Sequence, residues 1–366
     1  MKKTIVIISN VSSGLFSFRR ELIEELARSY RVVILAKDTG RVGEFKAFGC
    51  EFRNMAIEAH GTNPLKELRL IAAFKKQLRE LKPQIVLTYT IKPNVYAGMA
   101  CASMGIPYVA NITGLGTAVE NGGAMQKLAL ALYRRGLRKA QKVFFQNSEN
   151  QRFLLERGVV KGNYELLPGS GVNLERYQVL PYPQGETVNF VFIGRLIKEK
   201  GIEQYLDAAR TIRERHPETR FHICGTMRPA YEQVVSELQE KGTVIYHGHV
   251  SNIGEIHAMS GCTVHPTFYP EGMSNVLLES CACGRPIITT DRPGCREIVD
   301  EGVNGFFVKQ RDSEDLIEKL EKFLALPWEK RREMGLNGRE KVEREFDRKI
   351  VMNKYLQEIK KAAHEL

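Results

Sequence analysis

The stretch VNFVFIGRLIKEKG, residues 188–201, decides the fold because it starts a strand–turn–helix pattern anew in mid-chain. Its first residues are mostly β-branched or aromatic, which predicts a strand buried on both faces. A charged, glycine-containing turn follows, and an amphipathic helix is predicted over 202–215. Just upstream, residues 180–185 (LPYPQG) have the proline and glycine content of a linker. We therefore predict a first domain at 1–180 and a second at 181–347.

Both halves alternate short strands with helical stripes. In the first half, Phe18, Leu22 and Leu26 recur at helical spacing between two Val- and Ile-rich segments. This alternation predicts the α/β class, with two Rossmann-like domains facing each other across a cleft, each a parallel sheet covered by helices. A C-terminal helix at about 348–366 is expected to pack back on the first domain. Strands are predicted at 4–9, 31–36, 84–89, 107–111, 142–146, 188–193, 220–224, 243–247, 262–266, 286–290 and 305–308.

Composition excludes several classes of protein. The chain has 366 residues, 43% hydrophobic and 27% charged, unlike a disordered or collagen-like chain. Its seven cysteines form no C-x-x-C, so reduced structural thiols are expected. No apolar run reaches the roughly 18 residues of a membrane-spanning helix. The apolar segment 4–9 fits a buried strand better than a signal peptide, so a cytoplasmic protein is expected.

The charge is concentrated in one half. Residues 1–180 carry 27 Lys and Arg against 14 Asp and Glu, whereas the remainder carries 27 against 29. Such a basic half suits an anionic membrane surface, a phosphorylated ligand or nucleic acid, and the absence of a nucleic-acid motif argues against the last. Two clusters could contact a membrane or form solvated helix faces. They are Lys66, Arg69, Lys76 and Arg79, and Arg134, Arg135, Arg138, Lys139 and Lys142.

Two polar loops are predicted at strand ends in the first half. Ser12-Ser13-Gly14 follows the first strand, before a helix predicted to open near Ser17, and residues 111–116 (NITGLG) follow the strand at 107–111. Loops at the carboxyl ends of parallel strands point into the ligand crevice, and glycine permits close approach. Ordinary structural turns would have the same spacing.

The turn after strand 188–193 carries two candidate anion ligands. Arg195 and Lys200 flank a strand-to-helix turn, where a planar guanidinium and an ammonium could converge on one diphosphate. Solvated surface charge is the alternative.

The segment 266–279 (PTFYPEGMSNVLLE) gives the strongest signal. Glu271 precedes a helix that Ser274 could cap, and Asn275 and Glu279 share one helix face. Two carboxylates beside exposed helix N–H groups suit sugar or ribose hydroxyls and a phosphate. A helix with a surface glutamate at each end is the alternative.

Together these motifs resemble the retaining, nucleotide-sugar-dependent glycosyltransferases of family 4 (glycosyl transferases group 1), which have the GT-B fold. The resemblance rests on Glu271-x7-Glu279 after Gly194-Arg195 and Lys200-Gly201, supported by residues 224–225, 247–250 and 293–297. Residues 92–96 (KPNVY) and 111–116 resemble a subset that builds bacterial surface polysaccharides. Within it, the N-acetylgalactosaminyltransferases acting on undecaprenyl-diphosphate-linked sugars are most similar.

The resemblance implies roles for individual residues. Arg195 and Lys200 would bind the donor diphosphate and stabilise it as it leaves, and Glu271 would contact the donor sugar near the reacting carbon. Backbone groups of 273–275 would meet the phosphates, and Glu279 the ribose. The implied donor-binding residues are Gly14, Gly194, Gly225, His249, Val250, Met273, Ser274, Asn275 and Glu279; Thr113, where many relatives have histidine, and Gly114 would lie on the acceptor side.

The expected reaction needs no cofactor. The chain contains no Asp-x-Asp, so no metal is expected, and cations with helix N–H groups would stabilise the leaving group instead. The family implies transfer, with retention, of a hexose or N-acetylhexosamine from a UDP-linked donor to a polyprenyl-diphosphate-linked acceptor at the inner face of the cell membrane. A GT-B-like epimerase or phosphorylase, or a non-catalytic nucleotide-sugar sensor, is the alternative.

Overall fold

The computed structural model describes residues 2–58, 63–115, 119 and 122–363. The chain divides into two compact units: Met1–Ser170 with Lys349–Leu366, and Gly171–Arg348. The sequence placed residues 171–180 in the first domain. They lie in the second unit because Val172 donates to the carbonyl of Phe346 (2.8 Å), and the Arg348 amide donates back to Val172 (3.0 Å).

The first unit is built on a parallel sheet of order β3-β2-β1-β4-β5-β6-β7. Its strands β4 and β5 are buried from end to end, and β1 is buried along its middle five residues, since these Val- and Ile-rich segments are covered by helices on both faces. The strands are β1 (Thr4–Val11), β2 (Arg31–Lys37), β3 (Glu51–Asn54), β4 (Ile85–Tyr89), β5 (Tyr108–Ile112), β6 (Lys142–Phe145) and β7 (Tyr164–Leu166).

The helices of the first unit follow the strands in alternation. Asn63 caps one of them, α3, by accepting from the Leu65 amide (3.0 Å), and Pro64 provides a first position that needs no donor. A π-helical turn at Pro93–Ala97 leads into α4. The helices are α1 (Ser12–Ser29), α2 (Val42–Ala47), α3 (Pro64–Leu81), α4 (Gly98–Met104), α5 (Gly123–Leu137) and α6 (Ser148–Glu156).

One sequence expectation for this unit is wrong. The helix predicted to open near Ser17 begins at Ser12, directly after β1, so Ser12-Ser13-Gly14 is its first turn and not a loop. Ser12 is buried and accepts from the Thr39 amide (2.9 Å) while donating to the Gly40 carbonyl (2.7 Å). Its hydroxyl therefore ties the helix start to the loop that follows β2.

The second unit repeats the plan with a parallel sheet of order β10-β9-β8-β11-β12-β13. Phe190, Phe192, Tyr205 and Phe221 form the aromatic centre of its core. The strands are β8 (Asn189–Ile193), β9 (Arg220–Cys224), β10 (Ile245–Tyr246), β11 (Cys262–His265), β12 (Ile287–Thr290) and β13 (Gly305–Val308). The helices are α7 (Ile202–Arg215), α8 (Pro229–Glu240), α9 (Ile253–Met259), α10 (Asn275–Ala282), α11 (Ser313–Leu324) and α12 (Trp328–Glu345).

The last helix, α13 (Arg348–Ala362), returns to the first unit. Val351, Tyr355 and Ile359 are buried in the same cluster as residues of β1, β2 and β4. The seven cysteines are all buried, free thiols. Within the described ranges, no helix has the length and apolar character to cross a membrane.

Candidate active site

Loops at the carboxyl ends of β8 and β11 are joined by short backbone contacts. Gly201 has a left-handed φ of 76°, and a Cβ there would overlap the carbonyl oxygen of Pro266. The Glu199 carbonyl accepts from the Phe268 amide (2.8 Å) and from the Thr267 hydroxyl (3.2 Å). These contacts fix a 3₁₀ turn at Lys198–Lys200 against the loop that begins at residue 266.

Lys200 and Glu271 form an ion pair between these two loops. The ammonium of Lys200 donates to Oε1 of Glu271, and the two side chains are only 14% and 16% exposed. A pair this shielded from water is stronger than an exposed one, because solvent screens it less. The structure therefore brings together the lysine predicted for the diphosphate and the glutamate predicted for the sugar.

Arg195 and Lys200 both lie near the aromatic ring of Tyr269. The guanidinium carbon of Arg195 lies 5.4 Å from the Tyr269 ring centre, and the Lys200 ammonium lies 5.3 Å from it. Both distances permit cation–π attraction. Within the described residues Arg195 has no carboxylate partner, so its donors face no competing anion of the protein.

His265 lies beneath the ion pair at the end of β11. It is 1% exposed, neither ring nitrogen has a hydrogen-bond partner, and Nε2 lies 4.0 Å from Oε1 of Glu271. Burial, and then the charge of Lys200, hold the pKa of His265 well below its usual range. The imidazole is therefore neutral and adds no third charge to the pair.

The start of α10 completes the polar side of the site. The Ser274 amide donates to the Gly294 carbonyl (2.7 Å), and a Cβ on Gly294 would come within 3.0 Å of Glu271. Among the described residues no side chain caps the helix, and Oδ1 of Asn275 is buried without a partner. Amides of the first turn are thus left for a ligand beside Glu271.

Glu279 lies one turn after Asn275 on α10, beside Tyr177. Loss of hydration raises the pKa of its carboxyl, and the Tyr177 hydroxyl and the cations Arg348 and Arg176 oppose that shift. The carboxyl is therefore easier to protonate than an exposed one.

The residues expected near a nucleobase follow β9 and β10. Gly225 donates to the Gly248 carbonyl (2.8 Å), and a Cβ on it would overlap the carbonyl oxygen of Gly194. Val250 packs against the cluster containing Val191 and Cys224, while His249 is exposed. The loops that follow the carboxyl ends of β8, β9 and β10 are thus held close together.

Three predicted residues belong to the first unit. Gly14 is inside α1, and Thr113 and Gly114 are half-buried just beyond β5. Gly116, at the end of that motif, lies outside the described residues. The KPNVY segment helps to hold the fold together. Asn94 accepts a hydrogen bond from the Thr88 hydroxyl (2.7 Å) and donates one to the Asn111 carbonyl (2.8 Å).

Comparison with protein families covers both units. The family described as glycosyl transferases group 1 matches residues 182–341, and the glycosyl transferase 4-like domain matches residues 14–169. The chain is a glycosyltransferase, with a glycosyl transferase 4-like first domain and a group 1 second domain. This glycosyltransferase has the GT-B fold, which confirms the fold class predicted from the sequence.

Two bacterial relatives are named as glycosyltransferases. It is 23% identical over 368 residues to the N,N'-diacetylbacillosaminyl-diphospho-undecaprenol alpha-1,3-N-acetylgalactosaminyltransferase of Campylobacter jejuni, covering 95% of this chain and 96% of the relative. It is 28% identical over 195 residues to the capsular polysaccharide biosynthesis glycosyltransferase CapM of Staphylococcus aureus, half of each chain. Anabaena HepE, solved with UDP and glucose, superimposes with a TM-score of 0.77 at 18% identity, covering 98% and 99% of the two chains.

Sequence reasoning missed two residues of this glycosyltransferase's site, Tyr269 and His265. Tyr269 and His265 were treated only as parts of a loop and a strand, and the signal for His265 was a polar residue inside an otherwise buried strand. In the first unit, Lys92 is paired with a buried Glu67. Within the described part of the chain, no three His, Cys, Asp or Glu side chains gather as ligands of a metal would.

Proposed function

We propose that this glycosyltransferase moves a hexose or N-acetylhexosamine from a UDP-linked donor to a lipid-diphosphate-linked glycan, with retention of configuration. The observation that carries the proposal is the Lys200–Glu271 pair, flanked by the unpaired guanidinium of Arg195 and the uncapped start of α10. Cations, helix amides and a carboxylate in one place suit a diphosphate joined to a sugar.

The proposed chemistry follows from these charges. The anomeric carbon–oxygen bond breaks and its electron pair passes to the β-phosphate of UDP, where Arg195, Lys200 and the amides of α10 stabilise the growing charge. The acceptor hydroxyl forms the new bond on the same face of the sugar and gives its proton to the departing phosphate oxygen. Glu271 lies on the sugar side and stabilises the positive character of the anomeric carbon. No step requires a metal.

Two relatives support the choice of substrates. The Campylobacter relative is named for an undecaprenol-diphosphate-linked acceptor and for N-acetylgalactosaminyl transfer. HepE was solved with UDP and glucose. A UDP-sugar donor and a polyprenyl-diphosphate-linked acceptor are therefore the substrates to test first.

The proposed acceptor implies peripheral contact with an anionic membrane surface on the cytoplasmic side. The excess of basic residues in 1–180 supports this, and α3 presents Leu65 and Leu68 at 68% and 63% exposure next to its basic residues. The second basic cluster, at residues 134–142, contributes less to this membrane contact. Arg134 donates to two backbone carbonyls (2.9 and 3.2 Å), and Lys142 lies near two carboxylates.

The test is a screen of UDP- and GDP-linked hexoses and N-acetylhexosamines with an N-acetylhexosaminyl diphosphate on a short polyprenyl chain. We expect release of UDP with one donor and a product whose anomeric proton coupling matches that of the donor. Arg195→Ala should lower the rate at least about tenfold, because hydrogen bonds to charged groups contribute about 1.5–3 kcal/mol. An inverted product, or no transfer from any UDP-sugar, would refute the proposal.

A further inference from the structure

The first unit contains a cavity of about 530 Å³ that none of the predicted site residues lines. It lies between α3 and the segments that follow β3 and β4, and Met55, Ala56 and Lys92 line its strand side. The volume is within the range of small-molecule sites. Both segments leave the carboxyl ends of parallel strands, the edge at which open α/β sheets bind ligands.

A buried ion pair forms the inner wall of the cavity, and one oxygen of its carboxylate can still accept a hydrogen bond. Nζ of Lys92 lies 2.5 Å from Oε1 of Glu67, and the two side chains are 11% and 10% exposed. The other oxygen, Oε2 of Glu67, is buried without a hydrogen-bond partner. Burial, followed by the charge of Glu67 and a hydrogen bond to its carboxylate, raises the pKa of the neighbouring Tyr96 to about 12. A ligand hydroxyl or amide N–H that reaches this carboxylate would add a donor beside Lys92 and Tyr96.

The rim of the cavity has unpaired positive charge. Both carboxylates of the lining are engaged by lysines, Glu67 by Lys92 and Glu58 by Lys66 (3.1 Å). Arg69 and Lys76 also line the cavity, are exposed, and have no carboxylate partner among the described residues. They lie seven positions apart, on one face of α3. Two free cations beside a hydroxyl acceptor suit a phosphorylated sugar.

We propose that this cavity holds the glycosyl diphosphate head of the acceptor. Arg69 and Lys76 bind the diphosphate, and Glu67, held in place by Lys92, accepts from a hydroxyl or N-acetyl amide of the sugar. The inference rests on the proposed function for the acceptor class, and it assigns the recognition to residues on α3 and after β4.

The test measures binding directly, apart from turnover. The probe is a water-soluble, fluorescent short-chain prenyl diphosphate carrying N-acetylglucosamine, titrated into the full chain without vesicles, with the same prenyl diphosphate lacking the sugar as comparison. The double variant Arg69→Ala/Lys76→Ala should weaken both probes at least about tenfold. Glu67→Gln should weaken only the sugar-bearing probe. Arg79→Ala, on the same helix but not lining the cavity, is the matched control and should change neither.

The outcomes separate this inference from the proposed function. Tight binding by wild type that is lost in the double variant supports the cavity even if no donor sugar is transferred. Transfer whose acceptor KM is unchanged in the double variant and in Glu67→Gln would overturn the cavity assignment and leave the proposed function intact. Failure of wild type to bind either probe would also overturn it. Circular dichroism spectra and melting temperatures that match those of wild type show that the variants are folded.

Discussion

Glu271→Gln should tighten the binding of UDP while it slows sugar transfer. In the free protein, Lys200 is held by Glu271, so a diphosphate must compete with that carboxylate for the ammonium. Glutamine has nearly the same size but no charge, and it leaves Lys200 available. It also removes a negative charge that would repel the nucleotide. The same substitution removes the anion proposed to stabilise the reacting sugar.

The size of the effect follows from the burial of the pair. Exposed ion pairs contribute about 0–1 kcal/mol, and hydrogen bonds to charged groups about 1.5–3 kcal/mol. With side chains 14% and 16% exposed, this pair falls near the lower end of the second range. We expect a gain of about 1.5 kcal/mol in UDP binding, which is a slightly more than tenfold lower Kd. Loss of preorganised electrostatic stabilisation should lower kcat by at least about 100-fold.

Isothermal titration of UDP at one salt concentration, with wild type and variant in parallel, measures the affinity. Glu203→Gln is the matched control, because Glu203 pairs with Lys198 on the same turn at 3.7 Å, with both side chains well exposed. It should leave the Kd unchanged. If folded Glu271→Gln binds UDP no better than wild type, the ion pair does not compete with the nucleotide and the reasoning fails.

Further predictions concern the metal, the ribose contact, one glycine and the membrane. Transfer should persist in EDTA, and activity restored only by Mg²⁺ or Mn²⁺ would contradict metal-independent chemistry. Because the pKa of the Glu279 carboxyl is raised, this group should protonate at a higher pH than an ordinary carboxyl does, and the affinity for UDP should decline with it. In the variant Glu279→Gln the affinity for UDP should depend less on pH. Gly201→Ala should lower the melting temperature through overlap with Pro266, whereas Gly43→Ala, which meets no atom within 4 Å, should not. Flotation should show salt-sensitive binding to anionic vesicles that declines further in the variant Leu68→Ser, and equal binding to neutral vesicles would contradict an electrostatic contact.

The sequence predicted the buried elements best. The helix expected at 202–215 and the strands at 220–224 and 305–308 coincide with α7, β9 and β13. Their apolar residues repeat at clear helical spacing or form short continuous runs, and the core depends on those patterns. Edge strands β3 and β7 were missed because they are three or four residues long and partly polar, so no burial pattern marks them.

The candidate site was predictable only where its residues are close in the chain. Arg195 and Lys200 share one turn, and Glu271 and Glu279 flank one helix start, so spacing made them candidates. Surface charge had the same spacing, and only the family resemblance implied their roles. Tyr269 gains its importance from two cations on another loop. Glu67 and Lys92 come together from different elements, α3 and the turn after β4. Such pairings depend on the three-dimensional packing of elements, which local periodicity does not record.

The return of α13 to the first unit has a consequence for synthesis on the ribosome. Residues 171–348 form their unit from one continuous segment, and the hydrogen bonds between Val172 and residues 346–348 close that segment at its base. The first unit, by contrast, lacks Val351, Tyr355 and Ile359 of its core until the last part of the chain emerges. The unit that is translated later can therefore be completed earlier. A chain truncated after residue 348 and released should hold a protease-resistant second unit beside a first unit that is readily cleaved.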